Sequence, residues 1–146
     1  MANTLWKAGD NARALEFAQR GLGLAEAVGD TALLVNARLN LGQICRSVGD
    51  YRRGATVLAQ TAELLQGALA RERFGRPLYP AVIAREHLVQ CLTELGEFRQ
   101  AIATAEESRQ IAEALQQPGS LLIAYRSVCD PLLHQGKFHD ALPRLD

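Results

Sequence analysis

Four glycine turns recur along this 146-residue chain: Lys7-Ala8-Gly9-Asp10-Asn11, Ser47-Val48-Gly49-Asp50-Tyr51, Glu94-Leu95-Gly96-Glu97-Phe98 and Gln135-Gly136-Lys137-Phe138. Their glycines stand 40, 47 and 40 residues apart. Five residues after each comes a small residue, Ala14, Gly54, Ala101 or Ala141, which lets two helices approach closely at a fixed point. An aromatic follows two residues after three of the glycines, Tyr51, Phe98 and Phe138, with Asn11 as the exception, and Leu41, Leu88 and Val128 stand eight residues before. Self-similarity at a period of roughly 20 to 50 residues marks an architecture of stacked repeats.

Each unit reads as two helices around its turn. From Phe98 onward, Ala101, Ile102, Ala105, Ile111, Ala112 and Leu115 follow the three-four spacing of an amphipathic helix. The glycine suits the left-handed conformation that ends a helix, and the acidic residue after it in three turns suits the cap of the next. The pattern predicts helices at Asn3 to Ala8, Ala12 to Val28, Thr31 to Val48, Tyr51 to Arg73, Ala81 to Leu95, Phe98 to Gln116, Ser120 to Gln135 and Phe138 to Leu145. The expected organisation is one domain: an incomplete unit over 1–28, units over 30–73 and 81–117 separated by a loop at 74–80, and an incomplete unit over 119–146. Met1 stands almost directly before a helical pattern already under way, so the chain reads as a piece of a longer protein.

Leu41-Gly42 together with the turn and its following small residue resembles the tetratricopeptide repeat, with its W-x2-L-G-x2-Y, A-x3-F and closing P signature. The first Trp and the Tyr of that signature are replaced by Arg38 and Cys45 in the second unit and by Arg85 and Leu92 in the third. The closing proline is missing, which lets the second helix run on and lengthens the period. The resemblance implies an all-α fold, a right-handed α-solenoid of antiparallel helix pairs with about seven to eight helices. A narrower likeness spans Gly49 to Glu113. There Gly-Asp-Tyr-Arg-Arg, Ala70-Arg71-Glu72-Arg73-Phe74-Gly75 with Pro77, and Leu95-Gly96-Glu97-Phe98 are similar to the tetratricopeptide arms of bacterial signal-transducing ATPase and adenylate cyclase-type regulators. The ATPase and cyclase motifs themselves are absent from this chain.

Carried over by offset from each glycine, the resemblance implies a concave groove lined by the first helix of each unit. Asn36, Asn40, Gln43 and Arg46 come from the second unit, Glu86, His87, Gln90 and Glu94 from the third, and Arg126, Asp130 and His134 from the fourth. Such a polar, mixed-charge face suits a protein or peptide partner; an ordinary solvated face is the competing reading. Leu39 and Glu86 occupy places where a clamp for a terminal carboxylate needs basic residues, which argues against that ligand. The seven-residue loop Phe74-Gly75-Arg76-Pro77-Leu78-Tyr79-Pro80 offers Arg73, Arg76 and Tyr79 as a second contact, against the plainer reading of an irregular turn after a long helix. Self-association through apolar ends carrying Leu5, Trp6, Leu142 and Leu145 is the alternative function.

Composition narrows the field. A hydrophobic content of 48% supplies a core and excludes disorder, and sixteen Lys and Arg balance sixteen Asp and Glu. No field of one sign is left to attract nucleic acid or an anionic membrane. Cys45, Cys91 and Cys129 are odd in number and far apart, which suits core packing and a cytoplasmic location. There is no apolar run of the roughly 18 residues needed to span a bilayer, and no signal-peptide pattern. His87, His134 and His139 lack the spacing of a zinc site. Nucleotide-binding, nucleophile-elbow and metalloprotease signatures are missing, and Glu106 with Glu107, and Glu16 with Glu26, read as charges on solvated faces. The expectation is a binding scaffold with no catalytic residue, no metal and no cofactor.

Overall fold

The computed structural model describes residues 11–137 and His139. Among the described residues the chain is all-helical, with six α-helices, a short 3-10 turn and no strand. They are α1 (Asn11–Val28), α2 (Thr31–Ser47), α3 (Tyr51–Leu64), the 3-10 turn Gly67–Arg71, α4 (Pro80–Glu94), α5 (Phe98–Leu115) and α6 (Pro118–His134). The helices expected at Asn3 to Ala8 and Phe138 to Leu145 lie outside the described residues, His139 excepted.

The repeated glycines build one device three times. Gly49, Gly96 and Gly136 take φ of 84°, 75° and 71°. The following residue donates its N–H to the carbonyl five positions back: Asp50 to Cys45 at 2.9 Å, Glu97 to Leu92 at 2.9 Å, and Lys137 to Leu132 at 2.9 Å. Each glycine N–H in turn reaches the carbonyl three back, which completes a Schellman motif and satisfies the orphan carbonyls of the helix end. Asp50 then caps α3 through Arg53 N, and Asp30 caps α2 through Leu33 N at 2.8 Å. Glu97 makes no such side-chain cap, because its longer side chain fits the capping geometry poorly.

The helix expected to run from Tyr51 to Arg73 stops at Leu64. Gly67 adopts φ 57°, and the chain turns back as a single 3-10 turn that packs on α4. Leu65 and Ala70, which continue the apolar spacing in the sequence, are still buried in the central core, but by a folded-back segment. Apolar periodicity survives the break and so concealed it.

Each helix packs against its neighbours in sequence, and α4 also packs on α2 and on α6. The recurring small residues mark these contacts: Ala14 and Ala101 are fully buried, and a Cβ on Gly54 would lie 3.0 Å from Cys91 Sγ. Leu41, Leu88 and Val128 are buried alike. At Gly42 the approach is closest, since a Cβ there would stand 2.6 Å from Leu58 Cγ of α3. Helix α4, in the middle, is buried on nearly every side, so its Arg85 and Glu86 must find partners inside the protein.

Candidate functional site

The first helices of the units, α2, α4 and α6, carry all eleven residues expected of the groove. Five of them meet in one polar cavity of about 230 Å³: Arg46 from α2, Gln90 and Glu94 from α4, and Asp130 and His134 from α6, with Tyr51 at its edge. His134 stands 3.9 Å from Glu94 and 3.8 Å from Asp130. Arg46 Nε and Gln90 Oε1 are buried there without a hydrogen-bond partner. Gln43, half-buried on α2, does not line this cavity.

Glu86 does not present a free carboxylate. It is 5% exposed, accepts from Arg126 of α6 and from Gln90 Nε2 at 2.7 Å, and lies 2.7 Å from His87 Nδ1. That last contact is close enough for an ion pair but out of line for a hydrogen bond. Glu86, His87 and Arg126 therefore form an internal tie between α4 and α6.

Arg76 of the loop turns inward as well, while Arg73 stays exposed. Arg76 Nε donates to Asn36 Oδ1 at 2.5 Å and its Nη2 to Asn40 Oδ1 at 3.1 Å, while Asn36 Nδ2 donates to Phe74 O at 3.1 Å. Phe74 takes a left-handed φ of 49° in the same bend. Arg73 stacks its guanidinium 4.9 Å from the Tyr79 ring centre, and Gln117 Nε2 donates to Pro77 O at 3.2 Å. The segment is thus a strap from α2 to the start of α6, seated on two residues assigned to a partner. Sequence offset alone could not reveal this, because Arg76 and its amides stand 36 and 40 residues apart.

The cysteines and carboxylates take structural places. Cys45, Cys91 and Cys129 are buried thiols, and burial pushes Cys91 up to about 12, far from a thiolate nucleophile at neutral pH. Glu106 pairs with Arg109, Glu107 with Arg85, and Glu16 with Arg20. Among the described residues no group of three or more His, Cys, Asp or Glu is placed to hold a metal ion, and no helix is long and apolar enough to cross a membrane. Leu5, Trp6, Leu142 and Leu145 lie outside the described residues.

No protein-family model, no curated protein and no solved structure matches this chain.

Glu86 gives the site a pH signature. Burial pushes its carboxyl up, but His87 and Arg126 outweigh that and hold it below its ordinary 4.5. A carboxyl depressed in the folded state adds stability that is complete above the unfolded value and is lost as pH falls through the folded one. Urea midpoints measured from about pH 6 to about pH 3 should therefore fall more steeply for the wild type than for Glu86→Gln. Parallel pH profiles for the two proteins would show that the tie contributes nothing.

Proposed function

We propose that this chain is a helical-repeat interaction module that binds a peptide segment on the face formed by α2, α4 and α6. On this reading the packing of α4 between α2 and α6 belongs to a right-handed solenoid of tetratricopeptide type, and the likeness to regulator arms makes the module part of a larger signalling protein in the cytoplasm. The observation that carries the reading is the polar cavity to which three successive first helices contribute. Buried polar atoms in a folded chain normally find partners, and each one left without costs about 1–3 kcal/mol. Arg46 and Gln90, which line this cavity, each hold one such atom, Arg46 Nε and Gln90 Oε1, shut off from solvent behind its surface. The Arg46 guanidinium suits a peptide carbonyl, and the carboxylates of Glu94 and Asp130 suit a basic side chain.

Selection of a displayed random-peptide library on the protein tests this. Enriched sequences should carry a Lys or Arg, and their affinity should fall about tenfold in Asp130→Ala and in Arg46→Ala. Either no enrichment, or equal binding by all three proteins, would remove the reading.

A further inference from the structure

Arg76 ties the strap to α2 with a charge that its contacts do not balance. Arg85 and Arg126 also bridge elements, and each has a carboxylate, Glu107 and Glu86. Arg76 has only the neutral amides of Asn36 and Asn40 for its Nε and Nη2, which leaves its Nη1 for a ligand. Burial alone acts on it, pulling the guanidinium down from its ordinary value with no carboxylate to hold it up. A half-buried cation without a counter-charge is costly, and a ligand that supplies one is favoured.

A second guanidinium comes from the same turn. Arg76 N donates to Arg73 O at 2.9 Å, and between them Phe74 and Gly75 take φ of 49° and 77°. Two central residues at positive φ mark a type I′ turn, whose ends lie within about 7 Å of each other. Phe74 holds this left-handed backbone at a cost, which the packing of its ring on the central core offsets. Arg73 is exposed, and the face of the Tyr79 ring, 4.9 Å away, is what answers its charge. Among the described residues neither Arg73 nor Arg76 forms an ion pair, and Glu72, the one carboxylate between Arg71 and Pro80, pairs with neither.

The strap is pinned at both ends. Beyond the seat on α2, Pro77 O accepts from Gln117, Tyr79 N donates to Ser120 Oγ at 3.5 Å, and Leu78 sits so close to Gly119 that a Cβ there would stand 2.7 Å from its Cδ2. The two cations are therefore brought together before any ligand arrives, which spares the cost of ordering them.

We propose that the Arg73–Arg76 turn is a binding site for a phosphate group, free or carried on a phosphorylated side chain. Two guanidiniums match a dianion, whereas a single carboxylate would leave one charge unanswered. One turn cannot follow a nucleic-acid backbone, and the balanced charge of the chain offers no track for one. None of these residues lines the polar cavity, so the site stands whether or not that cavity binds a peptide.

The test is calorimetric titration of the protein with inorganic phosphate, and with a short acetylated and amidated peptide of alanine and glycine that bears one central phosphoserine. Saturable binding of both is expected, each weakened at least about tenfold in Arg73→Gln and in Arg76→Gln. Arg73 is exposed, so Arg73→Gln, checked by circular dichroism and urea midpoint, keeps the test decisive if Arg76→Gln disturbs the fold. A peptide at least about tenfold tighter than inorganic phosphate assigns the site to phosphorylated side chains, and equal affinities assign it to the free ion. No saturable binding, or binding unchanged in Arg73→Gln, would overturn the proposal. So would equal binding of the same peptide with glutamate in place of phosphoserine, because the site would then read a single charge.

Discussion

Leu58→Ala should lower folding stability by about 3 kcal/mol, and adding Gly42→Ala to it should cost less than the same change costs in the wild type. Leu58 is fully buried in the core that α2, α3 and α4 share, so its truncation removes apolar burial and leaves a cavity. In the wild type a methyl on Gly42 meets the Leu58 side chain at 2.6 Å in a packed interior, a strain of about 1–3 kcal/mol. That strain exceeds the roughly 0.5–1 kcal/mol that alanine gains over glycine in a helix. Once Leu58 is alanine the obstruction is gone and the new methyl enters the vacated space, so the Gly42 change loses its strain and costs less than in the wild type. Urea unfolding of the four proteins measures the coupling, and additivity within error would mean that Gly42 and Leu58 do not define this crossing. Gly42 thus leaves the room that the Leu58 side chain of the next helix occupies.

The second large effect is expected at Arg85, a charged residue inside the most buried helix. Its guanidinium is 3% exposed, donating from Nη2 to Ala62 O at 3.1 Å and from Nη1 to Ala81 O at 3.0 Å, with Glu107 3.5 Å from Nε. Ala62 lies in the last turn of α3, where carbonyls have lost their helical partners because the helix ends at Leu64. Arg85 of the following helix thus serves as the C-terminal cap of α3. Arg85→Ala should cost about 3 kcal/mol, by emptying the space and leaving a buried carbonyl unpaired. Arg85→Met restores most of the volume and should recover about a third to a half of that loss, since the carbonyl stays unpaired. Hydrogen exchange should quicken in the last turn of α3 in both variants. Full recovery by methionine would show that Arg85 acts through packing alone.

The turns were legible because glycine with an acidic or polar follower admits few conformations, and the recurrence of Leu41, Leu88 and Val128 at one offset located the buried seam. The end of α3 was not, since Leu65 and Ala70 keep a helical spacing even though Gly67 folds the chain back. For the candidate site, offset along the sequence named residues that α2, α4 and α6 carry, five of which share the polar cavity. It could not separate open residues from paired ones. Whether Glu86 faces solvent depends on Arg126, and whether Asn40 is open depends on Arg76, 40 and 36 residues away in sequence. Arg85 was passed over because a charged residue in a helical pattern usually marks a solvated face, and only the early end of α3 gives it an interior acceptor.

The seat of Arg76 on Asn36 and Asn40 sets a threshold for whatever approaches that end of the inner face. A tethered group competes at an effective concentration of order millimolar, so a free ligand wins those two amides only when its affinity for them, times its concentration, outruns that built-in rival. If the inner face binds as proposed, Asn36 and Asn40 would therefore answer only to ligands that outcompete Arg76, while the cavity of Arg46, Glu94 and Asp130 holds no such tethered rival.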